Sequence, residues 1–507
     1  MAGRVVTEAR RREDRVLLAA TLANGPVELL DFLLPLWAGV ALGASAVQVG
    51  ALIAAELAVS VLVRPWAGML ADAYERRFVA AAGALLYALS CAGYALAGGL
   101  PFAYAAAVLG GLGGALLWVA VRAMAGERLT EDSAVFPRLT AAEQTGAWVA
   151  FVAGLSLLGV AGYRAVFLAC AAACLIAAVA LLSAPARVVP AAAELPGEVA
   201  ARLRPMLLAV LVTMAAEAAI ALLLLLHLQR HFDLEIMQIA YVFLPGAIAM
   251  AVLPPYLHRF VLRFGRIRVL ALASVSSAVF AAGLAGAPNP AVIAVLWVFS
   301  GAAWAAVIPV QQAVVAEASG ARVGRGMGLY EAAVLLGSMA GSLLAGVLYD
   351  VSPWQVACLA LAAVILAGAG LVPWSVRALR VVDRPQAPTA SQTATPAEPE
   401  PPVETKSPVD TGPPAVRPQR SPLRKLGEHT LLFLVVQLIL AVLDLSWLRD
   451  LAAGAVDLLS GARDVPLTGP AWAAYQVGKI WTVVFVIDVI ATAVTVVQRR
   501  AGRRRAG

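Results

Sequence analysis

The sequence predicts an all-α membrane protein with many spans, and three observations point to it. Of its 507 residues, 61% are hydrophobic and only 14% charged, where soluble domains run at roughly half apolar and a quarter charged. The mean hydropathy is +0.84. Runs of mostly apolar residues, of the length that crosses about 30 Å of hydrocarbon, recur along almost the whole chain. They are continuous, not alternating, which excludes the short strands of an outer-membrane barrel.

Taken in order, Gly, Pro and charge clusters divide the first part of the chain into twelve expected spans, near 16–41, 47–67, 78–98, 101–124, 140–160, 163–183, 205–228, 236–257, 267–286, 290–313, 327–348 and 353–374. The charged start, MAGRVVTEARRREDR, leads straight into the first span without a small-residue cleavage site, so it reads as a cytoplasmic start and not as a removed signal peptide. Arginine collects in alternate loops: Arg76 and Arg77, then Arg122, Arg128 and Arg138, Arg187, Arg202 and Arg204, Arg259, Arg263, Arg266 and Arg268, and Arg322 and Arg325. The opposite loops carry little beyond Arg164 and Arg230. By the positive-inside rule both ends of the twelve-span unit are cytoplasmic. The net charge of +7 reflects this one-sided collection of arginines and implies no nucleic-acid partner.

After Arg380 the composition turns rich in Pro, Thr, Ala and Glu, too poor in large apolar residues to fold alone, so 381–428 reads as a disordered cytoplasmic linker. Two further apolar runs, near 430–448 and 471–497, form an expected in-out-in hairpin within 429–507, closed by a basic tail. The expected domains are therefore 1–190, 191–380, the linker and the hairpin. The four cysteines, Cys91, Cys170, Cys174 and Cys358, all lie in apolar runs and read as packing residues.

The connection between the second and third spans reads Gly68-x-x-x-Asp72-x-x-Glu75-Arg76-Arg77. This resembles the signature loop of the major facilitator superfamily, G-x-x-x-D-x-x-G-R-R/K, with Glu75 where that family places glycine. The resemblance covers the signature, its position and the helix count of residues 1–380, and it implies two six-helix bundles related as parallel repeats. A second copy is expected after the eighth span; Gly265-Arg266 matches it, but Leu262 stands where the aspartate would be. Gly68 permits close helix approach, and Asp72 is expected to accept N–H groups at the start of the eleventh helix, near 326–328, with Arg122 or Arg128 as its salt-bridge partner. The bland alternative is a solvated positive-inside loop.

Ionisable groups within spans are costly and mark cavities or partners. Glu28 and Asp31 share a face of the first helix, Glu56 lies in the second, Glu217 in the seventh, and Glu143 and Glu331 about one turn into the fifth and eleventh. Under the repeat, Glu28 mirrors Glu217 and Glu143 mirrors Glu331. In that family the first, fourth, seventh and tenth helices line the central cavity, which puts Glu28, Asp31 and Glu217 where substrate and protons would meet. Carboxylates held away from bulk water exchange protons nearer neutrality, as a proton carrier requires. Glu143 and Glu331 are open to two readings, gating carboxylates or a structural pair. Asn24-Gly25-Pro26 is expected to loosen the first helix. Trp37, Trp118, Trp304 and Gln311-Gln312 are open to cavity-lining or packing roles, and His227 and His231 read as interfacial.

The sequence holds no phosphate-binding Gly-Lys-Ser/Thr loop, no metal spacing and no soluble catalytic domain, so no cofactor and no enzyme activity are expected. The leading expectation is a proton-coupled transporter that exports a small amphipathic or cationic molecule by alternating access. The alternatives are nutrient uptake by proton symport and a non-transporting scaffold whose 429–507 hairpin, with Asp444, Lys479 and Asp488, pairs with a protein or with itself. The Ala, Gly, Arg and Val content points to a bacterial inner membrane.

Overall fold

Every element is a helix among the residues that the computed structural model describes, namely 2–186, 196–234, 236–385, 422–453 and scattered positions of 471–492. Most of the linker, much of the hairpin's second run with Lys479 and Asp488, the basic tail and Arg187 lie outside them. The chain forms two units, residues 1–385 and 386–507.

In the first unit the helices are α1 (Ala2–Ala41), α2 (Ala46–Ala73), α3 (Arg76–Leu96), α4 (Leu100–Gly126), α5 (Val135–Leu182), α6 (Pro196–Arg230), α7 (Ile236–Val252), α8 (Pro254–Phe264), α9 (Arg266–Leu284), α10 (Pro290–Ala318), α11 (Val323–Val351) and α12 (Trp354–Ala378). Ten of these are long and apolar enough to cross a membrane. One of the ten, α5, runs 48 residues through a break at Gly162, where φ is 75°, so it makes two passages, and α7 with α8 makes one more. That yields twelve passages, with the fifth and sixth expected spans joined by a glycine hinge and the eighth cut at Leu253, before Pro254 and Pro255. Apolar side chains such as Leu62, Leu89, Phe102, Leu272, Val279 and Leu343 stand exposed on the outside, where lipid is the matching solvent.

Local chemistry sets the helix ends. Ser45 and Gln48 form a reciprocal capping box at the start of α2, and the Asn289 side chain accepts from Val292 N at 3.0 Å ahead of Pro290 in α10; both satisfy orphan first-turn amides. The expected loosening at Asn24-Gly25-Pro26 is corrected: α1 runs unbroken past Pro26. Asn24 Nδ2 instead donates to Glu143 O at 2.9 Å, and a Cβ on Gly25 would stand 2.6 Å from Ala150 Cβ. This stretch is a close α1–α5 contact, where a small residue lets backbones approach.

The distribution of core packing positions the site. One apolar core joins both halves and includes Val16, Met124 and Phe136 together with Leu203, Val315 and Met327. Two others are private: one draws only on residues between Leu29 and Cys174, the other only on residues between Ala216 and Ile365. The bundle is therefore sealed by shared packing at the end that carries the Gly68–Arg77 loop, here called the motif end, and its halves part toward the other.

In the second unit α13 (Pro422–Val442) and α14 (Trp447–Ala452) are described. Gln437 on α13 donates to Gly478 O at 3.2 Å and to Thr482 Oγ1 at 3.0 Å, and the Phe433 and Phe485 rings stack at 4.2 Å. Asp444 pairs with Arg449 at 2.5 Å on the exposed surface.

Candidate functional site: a charged seal and an acidic recess

At the motif end, Gly68 on α2 lies so close to α11 that a Cβ would stand 2.6 Å from Gly324 O. That approach brings Asp72 to the first turn of α11, where Oδ1 accepts from Gly324 N at 2.8 Å and Oδ2 from Arg325 N at 2.9 Å. The amides there are unsatisfied within the helix and carry the positive end of its dipole, so a carboxylate is the fitting partner. The donors lie just ahead of the 326–328 stretch named from sequence. Asp72's own salt-bridge partner is Arg76, at 3.3 Å, which corrects the expected Arg122 or Arg128.

Arg76 is 3% exposed and is not a solvated loop residue. It donates to Ala71 O at 3.1 Å, Ala123 O at 3.2 Å and Glu127 at 3.3 Å. Arg12 on α1 also reaches Glu127, at 3.0 Å, and donates to Pro185 O at 2.6 Å. Arg77 donates to Glu75 at 3.0 Å and to Ala184 O at 2.7 Å. Arg128 pairs with Glu13, as does Arg138 at 2.5 Å. Glu75, the departure from the family pattern, has φ −64° and ψ 119°; its extended backbone needs no glycine.

Behind this layer is a buried four-residue cluster that spans both halves. Glu331 on α11 pairs with Arg64 on α2 and, at 3.0 Å, with Arg122 on α4; Arg122 also approaches Glu143 on α5 at 3.4 Å. Two cations and two carboxylates sum to zero charge, the condition for burying them together. Glu143 and Glu331, mirrored in sequence, thus meet on one arginine. Trp118 lies beneath that guanidinium, its ring 5.1 Å away.

The second copy of the loop is built differently. Gly265 has φ 89°, a conformation that favours glycine. Asp383, just past α12, accepts from Ile267 N at 2.8 Å and through its backbone carbonyl from Arg266 N, also at 2.8 Å. Arg266 is 1% exposed and grips Glu317 at 2.5 and 2.7 Å and Val382 O at 3.0 Å. One more contact joins the halves here: Ser133 Oγ and His258 Nε2 are 3.0 Å apart.

Away from the motif end, Glu28 and Asp31 lie within electrostatic reach of each other, and Asp31 of Glu56. Glu28 and Asp31 are exposed and Glu56 half-buried, although protein surrounds all three closely, which is the signature of a recess wall. Tyr94 donates to Glu56 at 3.5 Å, and a Cβ on Gly110 would stand 2.8 Å from Glu56 Oε1. Among the described residues none of the three acids has a basic partner. Glu217 stands apart on α6, accepting from Ser300 on α10 at 3.0 Å. Trp304 and Gln311 line a small cavity beside it, whereas Trp37 packs edge-on to Phe167 at 5.2 Å. His227 stacks on Trp354 at 3.7 Å. No group of three or more metal-ligating side chains occurs among the described residues.

Sequence reasoning missed Arg64, Arg12, Glu127, Glu317, Asp383 and the Ser133–His258 contact. Arg64 had a signal, being a cation inside an apolar run; the others look like ordinary loop charges until the fold brings them together.

Twelve passages, a core shared at one end and buried arginine–carboxylate pairs at that end define a polytopic helical bundle in two halves. Residues 16–285 and 206–448 both match the Major Facilitator Superfamily profile, and the chain belongs to that family. It is accordingly a membrane transporter and not an enzyme. Among solved structures it is similar to the human organic anion transporter MFSD10 (TETRAN), at 19% identity and a TM-score of 0.57, over 73% of this chain and 99% of that one. It is also similar to the proton:xylose symporter XylE, at 14% identity and a TM-score of 0.58, over 72% of this chain and 95% of that one. At such identities the likeness concerns the fold. No curated protein matches the chain.

Proposed function

We propose that the chain is a proton-coupled exporter of small amphipathic or cationic molecules that works by alternating access, with Glu28, Asp31, Glu56 and Glu217 as its proton- and cation-binding carboxylates. The observation that carries this reading is the group of three acids, Glu28, Asp31 and Glu56, in an open recess without a basic partner. Carboxylates so placed either hold protons or await a cation, and competition between the two couples their movements.

In this reading residues 1–190 and 191–380 are the rocking halves, 381–428 is a linker and 429–507 a membrane hairpin. The motif end faces the cytoplasm of a bacterial cell. Asp72, held on Gly324 and Arg325, and Glu331, held on Arg64 and Arg122, form the closed cytoplasmic gate, supported by Gly68, Arg76, Arg77 and Glu143. Breaking these contacts opens the recess inward.

The test uses everted vesicles loaded with a pH-sensitive dye and a panel of lipophilic cations and neutral amphiphiles. Substrate-induced proton release is expected from wild type and not from Glu28→Gln or Glu217→Gln. Proton-driven movement of substrate in the opposite direction would establish symport, and absence of flux with every compound would overturn the reading.

A further inference from the structure

The cavity beside Glu217 is defined by what its walls leave unsatisfied. Four polar atoms on its lining lack hydrogen-bond partners: Glu217 Oε2 on α6, Ser277 Oγ on α9, and Trp304 Nε1 and Gln311 Nε2 on α10. Ser277, Trp304 and Gln311 are 5%, 9% and 0% exposed, so outside solvent does not satisfy them, and a polar atom left unpaired in such a place is costly. Trp304 lies near enough to Glu217 to act on its carboxyl, yet its N–H completes no hydrogen bond. The space open to the centre of a water-sized sphere is about 20 Å³, enough for one water molecule and little more.

The donor set selects the occupant. The tryptophan N–H can only donate, and so can the Gln311 amide nitrogen, whose carbonyl end is occupied by the Tyr330 hydroxyl at 3.4 Å. Two inward donors disfavour a bare metal cation. A neutral molecule that accepts twice and donates twice fits all four atoms.

We propose that this cavity is a binding site for a single water molecule, which joins α6, α9 and α10 and is the group through which Glu217 gains and loses its proton. Ser300 Oγ–H already occupies Oε1, so Oε2 is the atom that takes the proton. The water passes one of its protons to Oε2 and, on the lone pair that Trp304 or Gln311 releases when solvent reaches the cavity, accepts another from that solvent, so it remains water; the reverse sequence returns the proton. The occupancy stands on the cavity itself, whereas the proton route rests on the reading of Glu217 as a proton carrier.

The full-length chain in lipid nanodiscs serves for both tests. A high-resolution density map is expected to show one peak within hydrogen-bond distance of Glu217 and Trp304. An empty cavity would overturn the site, as would a peak present only when sodium is in the buffer. For the route, the infrared band of the protonated carboxyl is assigned by its loss in Glu217→Gln, and its hydrogen–deuterium exchange is timed after rapid mixing. Ser277→Leu fills the cavity and is expected to slow that exchange by about tenfold or more, while Ser277→Ala, which removes one of four partners, slows it less. Unchanged exchange in Ser277→Leu at normal thermal stability sinks the route; should that variant not fold, Gln311→Leu takes its place. If no pH yields a band that Glu217→Gln removes, the proton-carrier reading fails and the route with it, while the density map alone still decides the water site.

Discussion

The first and second halves carry the same loop with opposite letters kept. Asp72-x-x-Glu75-Arg76 stands in one and Leu262-x-x-Gly265-Arg266 in the other. The arginine is common to both: Arg76 and Arg266 each begin a helix, are 3% and 1% exposed, and pair with a glutamate at the end of the helix that follows, Glu127 or Glu317. The aspartate and the glycine have been exchanged. Where the aspartate persists, it reaches the other half at Gly324 and Arg325; where the glycine persists, the backbone takes φ 89° and admits Asp383 from the same half. The buried arginine thus belongs to the structure of each half, and the acid decides whether the loop also holds the halves together.

The largest effect is expected at the shared cluster. Glu331→Ala strands Arg64 and leaves Arg122 only the 3.4 Å approach to Glu143, and it should cost about 3–5 kcal/mol in the unfolding of detergent-solubilised protein, because a buried charge loses its partner. Glu143→Ala leaves Arg122 still paired to Glu331, so it should cost clearly less; equal losses would break the distinction between the two mirrored acids.

Next in size is Asp72→Leu, which writes the second half's residue into the first. Losing two charge-assisted bonds to the start of α11 should shift the closed–open balance by about 1–3 kcal/mol. The shift is readable as faster maleimide labelling of Ala71→Cys, since the native cysteines of this structure are all buried. Labelling that stays slow would remove Asp72 from the latch.

Smaller again is the glycine contrast. Gly265→Ala forces an L side chain into positive φ beside Asp383 and should cost roughly 1–3 kcal/mol, whereas Glu75→Ala at φ −64° carries no such strain and removes side-chain pairs, those with Arg12 and Arg77 among them. The smallest effect concerns one hydrogen bond. Ser133 Oγ and His258 Nε2 join the halves at 3.0 Å, and losing that bond should cost about 0.5–1.5 kcal/mol. Labelling at the motif end should rise in Ser133→Ala by less than in Asp72→Leu.

How much of this could be read from the chain alone follows from the range of each signal. Membrane spans are written locally, in runs of apolar residues, and so the passages and the family were legible. The loop was too, because its spacing is fixed. Arg122 was visible as a candidate but assigned to Asp72, since spacing does not reveal that Glu143 and Glu331 converge on it from two other helices. From the sequence Arg76 reads as a gate-loop residue of the signature and Arg266 as an orientation signal, whereas the fold buries both. Asp383, which supplies an acid to the second loop, lies 118 residues past Gly265, the position it abuts, beyond the reach of any local pattern.

Arg12 donates to a carbonyl 173 residues downstream, at Pro185, and Arg266 to one 116 residues downstream, at Val382. During translation, at about 5–20 residues per second, the first contact must wait roughly 10–35 seconds for its acceptor to be made. Each half is thus completed by a late-arriving carbonyl that docks on an early-made arginine, so ribosomes paused shortly before Pro185 or Val382 hold nascent chains with every transmembrane passage of that half synthesised and its closing bond still missing. Such chains should be cleaved at the motif end by protease, and protection should arrive in two steps as the two carbonyls emerge.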